Sequence, residues 1–259
     1  MRKELIRRVR QQFFGELNLA ISLGQKLKAP LCFGDAVGSF SQIFIQNEYT
    51  GAFSEGVLPV RWIDFGCHNG YFSLYLQWLH RKSGSDSQTS ALLVDADPAS
   101  RESVAKLIAM NRLADHFTFV HGAIARGSGS VMFAVQDHMR SSLASYCDVT
   151  DQTAAVEILS AAKILDLFPP PYDLIKVDIE GAEYELLLAY RDVLKHARRL
   201  ILEWHSWHPG EGGKDQIAAL ALEQGFLRDA DLVAAQPIEY AGATAQCGVF
   251  SFHRPGDKP

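Results

Sequence analysis

From residue 60 to the end of the chain, short apolar runs alternate with amphipathic segments, and few folds accept that pattern. Strands are expected at 60–65, 91–95, 117–121, 173–178, 198–203, 226–232 and 247–253. Helices are expected between them at 70–82, 99–112, 160–168, 182–195 and 213–224. Pro169-Pro170-Pro171 stops the third of these, because proline has no N–H and its ring clashes with the preceding turn. The strands read as nearly continuous apolar runs, as strands covered on both faces do. Strict alternation therefore predicts an α/β fold, a mostly parallel Rossmann-like sheet with helices on both faces. The last two strands leave no room for a helical crossover, so an antiparallel strand is expected at the end. Residues 131–135 read as an extra strand, 82–90 as a surface loop, and 136–155 as a loop over the site. Residues 1–59 form a separate N-terminal cap: an amphipathic helix over 3–28, with Leu5, Ile6, Val9, Phe13, Leu17 and Ala20 at helical spacing, then an irregular stretch bordering the substrate.

The first strand ends in Asp64-Phe65-Gly66-Cys67-His68-Asn69-Gly70-Tyr71-Phe72-Ser73, a strand, a tight glycine turn and a helix start. Glycine lets the backbone lie close to a ligand, and a helix start presents unpaired N–H groups. A pyrophosphate would want the fuller G-x-G-x-x-G and no adjacent anion. A carboxylate at Asp64 suits a cofactor with a cationic amino-acid end, and S-adenosylmethionine has one. Asp64, Gly66, His68, Asn69, Gly70, Tyr71 and Phe72 are the cofactor-binding candidates from this stretch. The second strand ends in Asp95-Ala96-Asp97-Pro98. An acid about 20–30 residues after the glycine turn is where such a fold holds ribose hydroxyls. Asp95 is the first choice and Asp97 the second, with helix capping before Pro98 as the other reading of Asp97.

Composition narrows the partners. The 259 residues carry a formal net charge of −5 and no long basic block, so no nucleic-acid backbone is expected to bind. Cys32, Cys67, Cys147 and Cys247 have no C-x-x-C spacing, which indicates neither a zinc knuckle nor a disulfide framework. A reducing, cytoplasmic setting is expected, with no signal peptide and no transmembrane segment.

Tyr172-Asp173-Leu174-Ile175-Lys176-Val177-Asp178-Ile179-Glu180-Gly181-Ala182-Glu183 places a lysine and several acids at the end of a buried-looking strand. Such charges are costly unless they meet a ligand, a metal or one another. With Asp64–Ser73, Val94–Pro98, Ser141-Ser142-Leu143 and Leu200–His205, this segment makes the chain resemble the FkbM family of S-adenosylmethionine-dependent methyltransferases over about 60–208. The resemblance implies a class I methyltransferase fold, a seven-stranded sheet with the last strand antiparallel, and O-methylation of sugar, glycan or natural-product hydroxyls. Cys67-His68 and Asp95-Ala96 stand where the family usually has Ala-Asn and Glu-Pro.

An alcohol is a poor nucleophile, so a base or a metal is expected beside it. Asp178 or Glu180 is expected to face the acceptor hydroxyl, and His205 is the other candidate base. Asp178, Glu203 and His205 are alternatively a set that would gather a divalent cation, magnesium or calcium. Two rivals remain at the level of sequence. One is a nicotinamide-dependent oxidoreductase, which shares the glycine turn and strand-end acid. The other is a non-catalytic protein of the same fold serving as a scaffold.

Overall fold

The glycine turn and the acids all lie along one edge of a seven-stranded sheet in the computed structural model. The structure describes residues 19–32, 36–53, 56–85, 87–134, 142–143, 153–206, 213–240 and 243–256. The described chain opens with an antiparallel hairpin, β1 (Ala20–Gly24) and β2 (Leu27–Pro30). A short helix α1 (Ala36–Phe40), a π turn (Ser41–Ile45) and a 3-10 turn (Thr50–Phe53) follow. Then come β3 (Arg61–Phe65), α2 (Tyr71–Lys82), β4 (Ser90–Asp95), α3 (Pro98–Asn111) and β5 (Phe117–His121). A separate three-stranded sheet contains β6 (Ser130–Ala134), β7 (Ser142–Leu143) and β8 (Thr153–Glu157). The chain continues through α4 (Ala161–Leu167), β9 (Tyr172–Val177), α5 (Glu183–Ala189), α6 (Arg191–Leu194), β10 (Ala197–His205), α7 (Lys214–Glu223), β11 (Leu227–Tyr240) and β12 (Ala243–His253).

The main sheet runs β5-β4-β3-β9-β10-β12-β11, and β12 is antiparallel to both neighbours while the other pairings are parallel. Successive side chains on each strand enter opposite layers of the core. Ile63 and Phe65, Leu92 and Val94, and Ile175 and Val177 pack on one face. Trp62, Ala91, Leu93 and Leu174 pack on the other. Burial on both faces is why the strands carry no polar alternation. The second layer also holds Leu27, Phe40, Tyr49 and Phe53, so the described cap residues and the sheet share one core.

The expected helix over 3–28 is not found where the structure describes it: residues 20–30 are the β1–β2 hairpin, and residues 1–18 lie outside the described set. Gln25 and Lys26 both have positive φ (50° and 59°), as the two central residues of a tight right-twisting hairpin turn require. Tertiary contacts hold it there: Trp78 Nε1 donates to Leu23 O at 3.0 Å, and the Asn111 amide pairs with both Lys28 N (2.7 Å) and Lys28 O (2.8 Å). The expected helix over 182–195 is broken at Tyr190, whose hydroxyl donates to Leu159 O at 2.8 Å and accepts from Ala125 N at 3.3 Å. The expected loop over 136–155 lies mostly outside the described residues; its described parts are β7 and the start of β8.

Strand order reverses at β3: the chain goes on to β4 and β5 on one side and returns to β9 and β10 on the other. Ligands of open α/β sheets bind in the crevice outside the carboxyl ends at such a point. Gly66 (φ 70°) is the first residue beyond β3 there, and a Cβ on it would lie 1.5 Å from Asp178 O. The glycine lets the ends of β3 and β9 approach each other. Gly66→Ala is expected to cost at least about 3 kcal/mol, because only backbone displacement relieves the clash. Gly213→Ala, where nothing lies within 4 Å of the added carbon, is expected to stay within about 1 kcal/mol. Urea denaturation of both variants checks the contrast.

Candidate active site

Lys176 lies directly across from Asp64 in the parallel β3–β9 register. Its Nζ donates to Gly66 O at 2.9 Å and to Asp178 Oδ2 at 3.3 Å, and stands 3.6 Å from Asp64 Oδ1. Lys176 is only 4% exposed and Asp64 is fully buried. Burial works against the ammonium, but Asp178 and Asp64 outweigh it and hold its pKa above the ordinary lysine range. Burial likewise raises the Asp64 pKa, with Lys176 and Ser73 pulling against it. Ser73 Oγ donates to Asp64 Oδ2 at 2.8 Å and accepts from Trp62 Nε1 at 2.9 Å. The amine nearest Asp64 within the protein is that of Lys176, and Asp64 Oδ1 makes no hydrogen bond.

Several neighbours also have partners within the protein. Tyr71 is buried with its hydroxyl bonded to Pro30 O, and Phe72 is buried edge-on against Tyr49 at 4.9 Å between ring centroids. The Cβ position of Gly70 faces Leu93 Cδ2 at 3.2 Å. The side chains of Tyr71 and Phe72 thus pack the turn from beneath. His68 is half-buried beyond the end of β3, and Asn69 and Asp95 are buried next to it. Asp95 Oδ2 accepts from His68 N at 2.6 Å and Oδ1 from Asp97 N at 2.8 Å. Burial pushes the Asp95 carboxyl up to about 7. Asn69 Nδ2 lies 3.1 Å from His68 Nδ1, while its buried Oδ1 has no hydrogen-bond partner. Asp97 caps α3, its Oδ1 accepting from Ala99 N at 2.8 Å, which favours the capping reading.

Across the crevice, β9 and β10 bring the other acids together. Glu203 and His205 are two apart on β10 and so share a face. Asp178 follows Val177, which pairs with Leu202, and this puts it beside Glu203. One donor atom each from Asp178, Glu203 and His205 lies within 4.8 Å of the others, so the three side chains expected to converge on a cation do converge. Glu180, held at the positive φ of 51°, reaches to 3.6 Å from His205 Nε2, and Glu203 lies at the same distance. Burial, partly offset by His205, raises the Glu180 carboxyl to about 8, and burial with Asp178 drives Glu203 well above the carboxylate range. Burial opposes a proton on His205, but Glu183, Glu180 and Glu203 outweigh it and raise its pKa far above the histidine range.

Sequence reading missed two contributors. Glu183 is fully buried; its Oε1 accepts from Ile179 N (3.2 Å) and Gly181 N (3.1 Å) and faces His205 Nδ1 at 3.1 Å. Glu48, from the cap, hydrogen-bonds Tyr49, and its carboxyl is raised to about 7 by burial and by Asp178.

The profile of the FkbM methyltransferase domain matches residues 64–229, well over half of the chain. The chain belongs to the FkbM methyltransferase family. Its sheet, with the single antiparallel strand β12, is the class I methyltransferase sheet. Among solved structures it is similar to a provisionally assigned O-methyltransferase from Klebsiella pneumoniae (11% identity, TM-score 0.47, covering 95% of this chain and 99% of that one). It is also similar to an O-methyltransferase from Bacillus cereus in complex with S-adenosylhomocysteine (14%, 0.42, 97% and 90%). A provisionally assigned RNA methyltransferase from Pyrococcus horikoshii is a third (11%, 0.46, 82% and 82%). No curated protein matches the chain. Among the described residues, no helix is long and apolar enough to cross a membrane.

S-adenosylmethionine is the cofactor of this methyltransferase family, and the crevice fits it. Each Asp95 oxygen already accepts one backbone N–H and keeps a lone pair for a ribose hydroxyl. The unpartnered Asn69 Oδ1 is a buried acceptor beside it. In the FkbM domain the Lys176 ammonium is what makes burial of Asp64 tolerable. Lys176→Met is expected to destabilise the fold by about 3–5 kcal/mol, the cost of orphaning a buried charge. Without the ammonium, Asp64 keeps a folded-state pKa further above its unfolded one. The loss is therefore largest above neutral pH and shrinks as pH falls toward the unfolded carboxylate pKa, where Asp64 is protonated in both states. Urea midpoints of both proteins at pH 5 and pH 8 check this.

Proposed function

We propose that this protein is an S-adenosylmethionine-dependent O-methyltransferase acting on a hydroxyl of a sugar, glycan or natural-product acceptor. The observation that carries the reading is the two-sided crevice at the β3 switch point. Asp95, His68 and Asn69 stand on the β3–β4 side, and Asp178, Glu180, Glu203 and His205 on the β9–β10 side. The acidic side repels a phosphodiester backbone, which favours a neutral hydroxylated acceptor over nucleic acid.

The cofactor supplies a methyl group on a sulfonium; transfer leaves S-adenosylhomocysteine, a new C–O bond and the proton of the acceptor hydroxyl. Asp95 holds the ribose and so fixes the methyl group relative to the acidic side. Alignment of this kind is worth on the order of 7–11 kcal/mol in favourable cases. Glu180 takes the hydroxyl proton: it stands at the rim with its side chain 23% exposed, and its strained backbone marks a position held for use. A scaffold gives no reason to hold a non-glycine residue there. The acid at Asp64 and the incomplete glycine fingerprint count against a nicotinamide cofactor.

Calorimetric titration with S-adenosylhomocysteine, with NADH as control, tests the reading; saturable binding of NADH alone would refute it. Ribose hydroxyls donate to the ionised form of Asp95, whose pKa in the free protein is about 7. Affinity is therefore expected to fall about tenfold from pH 8 to pH 6, and Asp95→Asn to flatten that profile. Glu180→Gln is expected to lower kcat by about 10²–10⁴ while S-adenosylhomocysteine affinity stays within about twofold. Single-turnover methyl transfer from labelled cofactor to a panel of glycosides measures it.

A further inference from the structure

We infer that Asp178, Glu203 and His205 form a binding site for a divalent transition-metal ion, with Glu183 as the residue that positions the imidazole. The inference rests on the reading above for its role, since the site lies on the acceptor side of the crevice. Its geometry stands independently.

One donor atom from each residue lies within 4.8 Å of the other two. Ligands about 2.1 Å from a metal stand about 3–4 Å apart, so closure asks for small side-chain rotations only. Strand register fixes the arrangement. Glu203 and His205 share a face of β10, and Asp178 leaves β9 at the level of Glu203. The carboxylates remain half-buried at the rim, 26% exposed for Asp178 and 21% for Glu203, so an ion can enter and keep water or an acceptor oxygen as a further ligand.

The imidazole gives the second line of support. The carboxylate of Glu183 is acceptor-only, so His205 Nδ1 carries a proton toward it at 3.1 Å. Glu183 is itself pinned by the Ile179 and Gly181 amides. Nε2 is thereby aimed at Glu180 and Glu203, each at 3.6 Å. A carboxylate behind one ring nitrogen, with the other turned to a ring of acids, is how metal-binding histidines are oriented. Among the described residues, the ion-pair partner of both Glu180 and Glu203 is His205. Lys176 offsets Asp178, and a divalent ion would add positive charge beside Glu180 and Glu203.

One imidazole with two carboxylates suits manganese, iron or zinc better than magnesium or calcium, which take oxygen ligands. The imidazole therefore favours a first-row transition ion over the magnesium or calcium expected from the sequence. Bound there, the ion would hold the acceptor oxygen and lower its pKa. Glu180, beside the site, would accept the proton.

The test uses the full chain, freed of metal by chelation, and manganese(II) alone as the probe. Electron paramagnetic resonance titration is expected to show one saturable ion per chain, with pulsed spectra carrying ¹⁴N coupling from the His205 imidazole. Glu203→Gln is expected to weaken binding at least about tenfold with an unchanged melting midpoint, and Glu183→Gln about tenfold. His205→Gln is expected to abolish the ¹⁴N coupling. No saturable binding up to about 1 mM (a free energy near −4 kcal/mol), or binding indifferent to Glu203→Gln and lacking ¹⁴N coupling, would overturn the site. Titration of the same samples with S-adenosylhomocysteine separates the outcomes: cofactor binding without manganese binding removes the metal and leaves the methyltransferase reading standing, whereas manganese binding without cofactor binding does the reverse.

Discussion

A buried ammonium holds the centre of this molecule together. Lys176 sits where the first strand of the sheet meets the fourth parallel one, and it joins Asp64, Asp178 and the Gly66 carbonyl through a single nitrogen. Each contact ties a different part of the crevice: the end of β3, the start of the acidic loop and the turn into α2. Taking that charge out of water is unfavourable by itself, and the two carboxylates are equally unfavourable alone. Together they form a unit that is tolerable only when all of it is in place. The register of β3 against β9 is thus locked by charge as well as by the apolar residues on either side.

The crevice has two electrostatic characters because of that lock. On the β4 side one carboxylate, Asp95, is satisfied by backbone amides and keeps lone pairs for neutral hydroxyl donors. On the β10 side several carboxylates crowd one imidazole, and Glu48 and Tyr49 from the cap come close enough to be felt. The first environment suits a neutral sugar hydroxyl as ligand. The second favours whatever brings positive charge or a proton.

The five strands β3, β4, β5, β9 and β10 were legible to within a residue or two because burial on both faces writes an unmistakable apolar run, whereas β11 and β12 run on to Tyr240 and back to Ala243, beyond the expected 226–232 and 247–253. The antiparallel end followed from the short connection between the last two strands. The hairpin at 20–30 was not legible. Leu, Ile and Ala there fit helical spacing, and the turn puts Gln25 and Lys26 at positive φ without the Asn-Gly signal that marks such turns. Within the site, sequence spacing found the residues but could not tell which way they face. Gly66 and Asp64 look alike whether a ligand or another strand comes close, and here the neighbour is β9. Glu183 looked like a helix-start acid; its contact with His205, twenty-two residues on, exists only in the folded sheet.

The small sheet of β6, β7 and β8 leaves the main sheet and returns to it at nearly the same place. Ala123 N donates to Glu157 O at 2.8 Å, Leu159 N donates to Ala123 O at 3.0 Å, and Leu159 fills the space beside Gly122. The two ends of this excursion are therefore fastened to each other before the rest of it is built. An excursion closed at its base can lengthen, shorten or be replaced at little entropic cost to the remainder. The small sheet can thus vary as a module without disturbing the charged lock at the junction of β3 and β9.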